Sequence, residues 1–343
     1  MKDPAAPRTT ERRFIREMVT AIALIALALL LWKVRQALLI GFGGAIVATV
    51  ILSLARPLRR RTGMPHLAAV ALAALAIVAA ISGALWAIWP SFSVQLGNLV
   101  EQLPQALEEL EDRIGEVMPD NALPTGEMMQ QAAAKLTEWS TALLAAVSAL
   151  VLVVLAGVFL AVSPDRYRRG TVRLFPPAQQ ARVAHGLESA GAGLRAWVLG
   201  QLVAMLTIGT GVALGAWAIG LPAPLALGLI AGMLEFVPVI GPIAASVPAL
   251  VLAATMGGST FLWTVALYLG LQQVESNLLM PLIERSVANV PPAVFLLSLV
   301  AVGALFGIAG VILSAPLAVV GMILVDELYV KPLNGEDSTH GDG

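Results

Sequence analysis

Residues 225–256 read LALGLIAGMLEFVPVIGPIAASVPALVLAATM, and this stretch decides the fold. Its 32 residues are too many for one straight membrane span, which needs about 20, and too few for two full spans. Pro238, Gly241 and Pro242 lie in the middle, and Pro248 follows. A helix must break here, because proline removes a backbone donor and clashes with the preceding turn. Broken backbone at membrane depth is tolerated only inside protein or beside a water-filled cavity, so the stretch predicts a hairpin of two half-helices.

A second apolar stretch, residues 293–325, has the same organisation. It is 33 residues long and is interrupted by Gly307, Gly310 and Pro316. Each stretch follows one ordinary span, at residues 197–220 and 261–280 respectively. Matching residues lie 69 positions apart in the pairs Pro222/Pro291, Pro238/Gly307 and Gly241/Gly310, and 68 apart in the pair Pro248/Pro316. We interpret this as an internal repeat of one span plus one broken hairpin, covering residues 197–256 and 261–325.

The composition indicates a membrane protein throughout. Of 343 residues, 58% are hydrophobic and 13% are charged, against about 25% charged in soluble proteins, and the mean hydropathy is +0.84. The chain has no cysteine and only three widely separated histidines, so we predict no disulfide and no metal site. The net charge of −1 provides no basic field for nucleic acid. The sequence contains no Gly-x-Ser-x-Gly hydrolase motif, no His-Glu-x-x-His zinc motif and no P-loop. We therefore predict neither enzymatic activity nor a cofactor.

Four further spans precede the repeat, at residues 14–32, 37–55, 67–89 and 141–162. Fifteen of the 21 basic residues fall at the N-terminus, after the second span or after the fourth. These three segments share one side if the spans alternate, and basic loops stay cytoplasmic. The pattern therefore predicts a multi-pass protein of the cytoplasmic membrane, with both termini in the cytoplasm.

Two topologies are compatible with the broken stretches. If both are re-entrant hairpins, the all-α protein has about six spans plus two hairpins that enter from opposite sides, an inverted repeat typical of secondary transporters. The alternative is eight transmembrane helices. Arg285 is cytoplasmic in the hairpin topology and external otherwise, so the charge rule favours hairpins. The predicted divisions are residues 1–89 with three spans, 90–140 as an acidic extracytoplasmic helical insertion, 141–195 with the fourth span and a basic loop, 196–330 as the transport core, and 331–343 as a disordered cytoplasmic tail.

The acidic insertion carries a heptad seam. Seven apolar residues from Leu96 to Val117 recur at alternating intervals of four and three, which is typical of a helix that packs on another helix. The partner is a second subunit, which would make the protein a homo-oligomer, the following helix at residues 128–139, or the membrane surface. Pro104 interrupts the seam and favours the second and third alternatives.

Glu235 is the one charged residue of the first broken stretch. A carboxyl group that loses its hydration is stable when protonated, so Glu235 is a candidate for carrying a proton or binding a cation. The alternative is a structural group that caps free backbone donors or faces water.

A polar cluster ends the span at residues 261–280. Two neighbouring helical stripes form a polar face about 100° wide. They consist of Gln273, Asn277 and Pro281, and of Gln272, Glu275 and Ser276. We predict that Glu275 handles a coupling ion, H⁺ or Na⁺, and that Gln272, Gln273 and Asn277 line a polar pathway. The alternative is hydrogen bonding between helices.

Other polar and small residues are interpreted as packing groups. Gln201, Thr207 and Thr210 fall in this class. The small-residue runs at 41–44 and 209–211 are expected at close helix contacts.

These motifs resemble those of the autoinducer-2 exporter family of bacterial and archaeal membrane proteins. The matching residues are EFVPVIGP at 235–242, QQVESNLLMP at 272–281, Pro292, and the run of Gly303, Gly307, Gly310 and Pro316. The resemblance covers nearly the whole chain. It implies a multi-span permease that exports a small signalling molecule or metabolite, or exchanges Na⁺ or Li⁺ for H⁺. The chain has Pro291-Pro292 where the family often has His-Pro, so no role for that histidine carries over.

We therefore predict a secondary transporter that works by alternating access around its broken helices, with Glu235 and Glu275 as coupling residues. The expected partners are the lipid bilayer and a small-molecule or ion substrate. The predicted hairpin-shaping residues are Pro238, Gly241, Pro242, Pro248, Pro281, Pro292, Gly307, Gly310 and Pro316. The alternatives are a passive channel and a non-transporting scaffold that uses the heptad helix.

Overall fold

A computed structural model describes residues 8–115, 150–237, 239–279 and 291–334, and every regular element in these ranges is helical. The predicted all-α polytopic fold is confirmed. The helices are α1 (Arg8–Thr62), α2 (His66–Gly115), α3 (Leu150–Val162), α4 (Pro164–Val172), α5 (Pro177–Ile219), α6 (Pro224–Leu234), α7 (Ile240–Met256), α8 (Gly258–Val274), α9 (Pro292–Phe306) and α10 (Ile308–Val325). Helix α8 continues into a π-helical turn, Glu275–Leu279, and α10 into another, Asp326–Val330, followed by a short helix, Lys331–Leu333.

The exterior of the described residues suits lipid. Three helical stretches are long and apolar enough to cross a bilayer, Trp32–Thr62, Pro177–Ile219 and Ile308–Leu333, and the bent α3–α4 pair would be a fourth. Large apolar side chains face outward, among them Leu206 and Trp217, each 72% exposed. An apolar exterior of this extent is a liability in water but is expected against acyl chains.

Helix α1 differs from the prediction. It runs without a break through residues 33–36, between the first two predicted spans, because this segment contains neither glycine nor proline. The guanidinium of Arg35 lies 4.2 Å from the centre of the Trp32 ring one turn earlier, so the charge is accommodated on the helix surface. The prediction of two separate spans at residues 14–32 and 37–55 is therefore wrong. A helix of 55 residues is about 80 Å long and separates the N-terminal basic residues from Arg59–Arg61. The prediction of a cytoplasmic N-terminus required two spans between these basic segments, so it no longer holds.

Helix α2 is also longer than predicted. It runs from His66 through Pro90 to Gly115, and so joins the third predicted span to the heptad seam without a boundary at residue 89. The hydroxyl of Ser93 donates to the carbonyl of Pro90 at 3.2 Å. The seam is helical as far as Gly115, whereas residues 128–139, one of its predicted partners, lie outside the described residues.

Helix α5 lies at the centre of the packing. Val212 of α5 and Leu227 of α6 belong to one apolar cluster, which also includes α7. Trp197 of α5 and Val319 of α10 belong to a second cluster, which extends to α1. A third cluster joins α1, α2 and α3 around Ala161. Because α5 contributes to the first two clusters, it holds both broken stretches in one core.

Both broken stretches fold back on themselves. A Cβ atom at Gly241 would overlap the carbonyl oxygen of Leu234, and one at Gly310 would overlap that of Val302. On a straight helix these partners would lie about 10–12 Å apart along the axis, so the chain reverses at each break. Helices α6 and α7 thus form one hairpin, and α9 and α10 form the other.

Equivalent features of the two hairpins recur 68 residues apart. The pairs are the helix starts Pro224/Pro292 and Ile240/Ile308, the serines Ser246/Ser314, and the prolines Pro248/Pro316. Each serine hydroxyl donates to the carbonyl three residues earlier, at 2.8 Å in α7 and 2.7 Å in α10. The recurrence agrees with the predicted internal repeat, but the register of 69 taken from glycine and proline matches is one residue too long for the half-helices.

The predicted C-terminal tail begins as a helix. The ammonium group of Lys331 donates to the Glu327 carboxylate at 2.6 Å and lies 3.6 Å from that of Asp326. These contacts hold residues 331–333 in helical form, so the prediction of disorder is wrong there. Residues 335–343 lie outside the described residues.

Candidate functional site

Close packing of α5 against α6 positions the first break. A Cβ atom on Gly209 would lie 3.0 Å from the carbonyl oxygen of Gly228, and one on Gly232 would lie 2.9 Å from that of Met205. The two backbones approach this closely because only glycine hydrogen atoms separate them. The expected role of residues 209–211 in close helix contacts agrees with this geometry.

Glu235 lies where α6 ends. Its side chain is 1% exposed, and its Oε2 atom is buried without a hydrogen-bond partner among the described residues. Its amide still donates to the carbonyl of Ala231 at 2.9 Å, but the chain leaves helical geometry immediately afterwards. Leaving a buried polar atom without a partner costs about 1–3 kcal/mol. This arrangement is difficult to explain by stability and points to a function.

Glu275 faces Glu235 across the interior. The two carboxyl groups lie near enough for their charges to interact, and Glu275 is 9% exposed. The side-chain amide of Gln272 donates to Oε2 of Glu275 at 2.6 Å. Gln272 is itself exposed, so it connects the buried pair with the outside of the chain. The fold therefore brings together three of the five predicted transport residues.

The two carboxyl groups cannot both be ionised at low cost. At 4 Å and an effective dielectric constant of 20, repulsion alone costs about 4 kcal/mol, and loss of hydration adds to it. In the described part of the chain, no lysine, arginine or histidine forms an ion pair with either group. The pair is therefore stable when a proton is shared between the groups or a cation lies beside them.

The helix that carries Glu275 is irregular. Residues Glu275–Leu279 form a π-helical turn, a feature that is frequent at functional sites. Pro281 has no amide hydrogen to offer the carbonyl of Asn277 in an α-helical register, and this signal for an irregular helix was present in the sequence.

Gln273 and Asn277 lie apart from the carboxyl pair. Both side chains are exposed, and the amide of Asn277 donates to the Gln273 side-chain oxygen at 2.8 Å. The hydroxyl of Ser276 donates to the backbone carbonyl of Gln272 at 2.7 Å. The predicted polar face thus divides into a part directed at Glu235 and an exposed part.

Gln201 is a site residue that sequence reasoning missed. Its side chain is 7% exposed, and Nε2 donates to the backbone carbonyl of Glu235 at 2.7 Å. This carbonyl lies where the helix stops and the intrahelical donors run out. A lone glutamine in an apolar span gave no sign of this partner, which lies 34 residues away. The hydroxyl of Thr207, in contrast, donates to the Val203 carbonyl of its own helix at 2.8 Å.

Replacing Gln201 with leucine is expected to destabilise the protein by about 1–3 kcal/mol, because the Glu235 carbonyl would stay buried without its donor. The apparent melting temperature of the purified protein in detergent measures the effect. Thr207→Val removes only a hydrogen bond within one helix and should change the melting temperature little. Equal melting of Gln201→Leu and wild type would contradict the assigned bond.

The predicted hairpin-shaping residues occupy several kinds of position. Val239 precedes α7 with φ +72° and ψ −54°, a conformation that is strained for a β-branched residue. Gly307 occupies the equivalent place before α10 with φ +64°. Pro292 starts α9, and Pro248 and Pro316 lie inside α7 and α10. Gly241, Pro242 and Gly310 lie in the first turn of these second half-helices, whereas Pro238 and Pro281 lie outside the described residues.

The comparison with known proteins identifies the family. Residues 20–329 match the AI-2E family transporter. The chain belongs to the AI-2E transporter family. This confirms the resemblance drawn from the motifs at residues 235–242 and 272–281, and it assigns the chain a role in membrane transport.

Relatives of this AI-2E family chain occur in distant bacteria. YrrI of Bacillus subtilis (strain 168) is 35% identical over 152 residues, which cover 44% of this chain and 43% of YrrI. A protein of Mycobacterium tuberculosis is 26% identical over 267 residues, 74% of this chain and 73% of that protein. A Thermotoga maritima protein is 26% identical over 171 residues, 50% of this chain and 52% of that protein. All three names describe transport proteins, and two of the three matches span about half of the relative's length or less.

Proposed function

We propose that this AI-2E family protein is a secondary transporter of the cytoplasmic membrane. It exports a small molecule, such as an autoinducer-2-like signal or a metabolite, or it exchanges a monovalent cation for protons. The proximity of the buried carboxyl groups of Glu235 and Glu275 carries this proposal. A site that holds either a proton or a cation makes the two compete, and competition for one site is how an exchanger couples two flows.

The hairpins supply the alternating access. We propose that α6–α7 and α9–α10 enter the membrane from opposite faces, so that their breaks meet near the midplane. Three observations support this arrangement: the chain reverses at both breaks, equivalent features recur at a constant spacing, and Glu275 reaches the first break from α8. Movement of one repeat against the other would then open the carboxyl pair to each side in turn.

A single cysteine at position 285 tests the topology, because the native chain has none. In the hairpin topology, α8 returns the chain to the membrane side of Arg60. Arg285→Cys and Arg60→Cys should therefore react with a membrane-impermeant maleimide on one side, and Gln105→Cys on the other. Labelling of intact and opened cells provides the measurement. Reaction of position 285 on the side of Gln105 would establish eight plain crossings instead.

Exchange in reconstituted liposomes tests the function. Purified protein is placed in vesicles that contain a pH-sensitive dye, and Na⁺, Li⁺ or K⁺ is added outside. A cation–proton exchanger should release internal protons in a saturable manner with at least one cation. A passive channel would dissipate a cation gradient without moving protons against their own gradient, and a scaffold would behave like protein-free liposomes.

The exporter form of the proposal makes a separate prediction in the same vesicles. An imposed proton gradient should drive the release of entrapped autoinducer-2 faster than in protein-free vesicles. If neither cations nor autoinducer-2 move, the proposed transport activity is contradicted for these substrates.

A further inference from the structure

Helix α4 is set apart from the other helices by its direction and composition. It is bent 87° from α3 at Ser163. Residues of α3 such as Leu150, Leu152 and Phe159 are more than half exposed, as in a lipid-facing span. If α3 follows the membrane normal, α4 lies parallel to the membrane plane. Its sequence, PDRYRRGTV, carries four charges in nine residues, so it does not belong in the hydrocarbon core.

The sides of α4 differ in character. Arg168 forms an ion pair with Glu188 of α5 at 3.2 Å, so this side faces the protein. Arg166, Arg169 and Arg173 follow at helical spacing on another side, and all three are exposed. Within the described ranges, no carboxylate pairs with any of these three arginines.

An apolar stripe lies directly beside the arginines. Tyr167 lies in α4 and Leu174 lies in the turn that follows its last residue, and they are 46% and 83% exposed. Phe175 follows with 38% exposure. A row of cationic groups next to an aromatic and aliphatic stripe is the pattern of a helix that lies at the boundary between headgroups and acyl chains.

A second basic segment lies at the same end of the molecule. Nε2 of His66 lies 3.0 Å from the carbonyl oxygen of Ala161, which joins the start of α2 to the end of α3. Ala55, near the end of α1, is buried in the same cluster as Ala161. The exposed side chains of Arg59–Arg61 therefore lie near α4. Residues 56–66 and 163–175 contain eight arginines and a single acidic residue, Asp165.

We propose that α4 lies flat in the headgroup layer of the inner leaflet and binds anionic phospholipids. Arg166, Arg169 and Arg173 contact the headgroup phosphates together with Arg59–Arg61, while Tyr167 and Leu174 insert beside the first acyl carbons. Charge complementarity selects an anionic lipid over a zwitterionic one. The apolar stripe selects a lipid over a free phosphate ion, which has nothing to place against Leu174. The arginines thus form a lipid-binding surface, in addition to their role in setting orientation.

Lipid titration of the full-length protein in neutral detergent, followed by native mass spectrometry, tests this surface. Wild type should bind phosphatidylglycerol more tightly than phosphatidylcholine. One arginine near an anionic surface contributes a factor of roughly five, so R166Q/R169Q/R173Q should weaken phosphatidylglycerol binding roughly a hundredfold. Equal binding of both lipids by wild type, or unchanged binding in the triple variant, would overturn the proposal.

Single variants provide matched controls. Arg169→Gln should weaken binding of phosphatidylglycerol roughly fivefold, whereas Arg168→Gln removes the same charge from the side facing α5 and should have a smaller effect. Leu174→Ser should also weaken phosphatidylglycerol binding. If millimolar inorganic phosphate displaces the lipid and Leu174→Ser has no effect, the site binds phosphate and the lipid proposal is wrong.

Discussion

Glu235→Gln and Glu275→Gln are each expected to reduce cation-driven proton release to the level of protein-free liposomes. Glutamine keeps the size of the side chain and can donate a hydrogen bond to the remaining carboxyl group, so the pair stays packed. It cannot release or accept a proton in the working pH range, and it carries no negative charge for a cation. The coupling reaction therefore loses its exchangeable site, whichever member of the pair is replaced. The dye assay described for wild type, run with the most active cation, measures the loss.

Controls separate loss of the site from loss of the fold. Glu188→Gln removes a carboxylate that is 72% exposed and paired with Arg168, and it should retain wild-type exchange. Size-exclusion profiles and melting curves of the glutamine variants should match wild type. If wild type exchanges ions and both glutamine variants do so at the same rate, the carboxyl pair is not the coupling site, although the protein remains a transporter.

The second large effect is expected at the glycines that follow the breaks. Gly241→Ala and Gly310→Ala should each lower stability by about 1–3 kcal/mol, because the new methyl group meets a backbone carbonyl that cannot move aside like a side chain. Opening the hairpin to relieve the clash would also displace Glu235, so Gly241→Ala should lose exchange as well. The apparent melting temperature in detergent and the dye assay measure the two effects.

Gly270→Ala is the matched control for these variants. Gly270 lies inside α8, and nothing is within 4 Å of the position that its Cβ would take. Alanine is favoured over glycine in a helix by about 1 kcal/mol, so this variant should melt at the wild-type temperature or above. If Gly241→Ala melts like Gly270→Ala, the tight reversal of the chain after Leu234 is refuted.

The sequence was most informative about features that individual glycine and proline residues impose on the backbone. Gly307 has a positive φ at the second break, and Pro248 and Pro316 recur at the same place inside α7 and α10. The two broken stretches and their similarity could therefore be predicted without tertiary contacts. Glu235 and Glu275 were each recognisable because a carboxyl group is costly in an apolar stretch. Their mutual contact was not predictable, because it depends on how closely α5 packs on its neighbours.

The wrong predictions also concern features that depend on contacts and on the length of a helix, which the local sequence does not show. Residues 14–32 and 37–55 were predicted as separate spans, yet one helix carries Lys33 and Arg35 between them on its surface, where Arg35 stacks on Trp32. Pro90 suggested a boundary, although one proline costs a long helix only part of its hydrogen bonding. Gln201 was taken for a packing group because its partner is a backbone carbonyl. Every residue has such a carbonyl, so the sequence does not indicate which one accepts the hydrogen bond.

Within the described residues, the carboxyl pair lies at the first of the two breaks, and this has an electrical consequence. The position 68 residues after Glu235 is Gly303, which has no side chain to contribute. In the described residues there is thus one such pair, and in the proposed exchanger its remaining negative charge would be neutralised either by a second proton or by one monovalent cation. Both loaded forms would then be uncharged, so a one-for-one exchange would carry no current. The transporter would then respond to the ion gradients alone, and the membrane voltage would neither drive nor oppose its turnover.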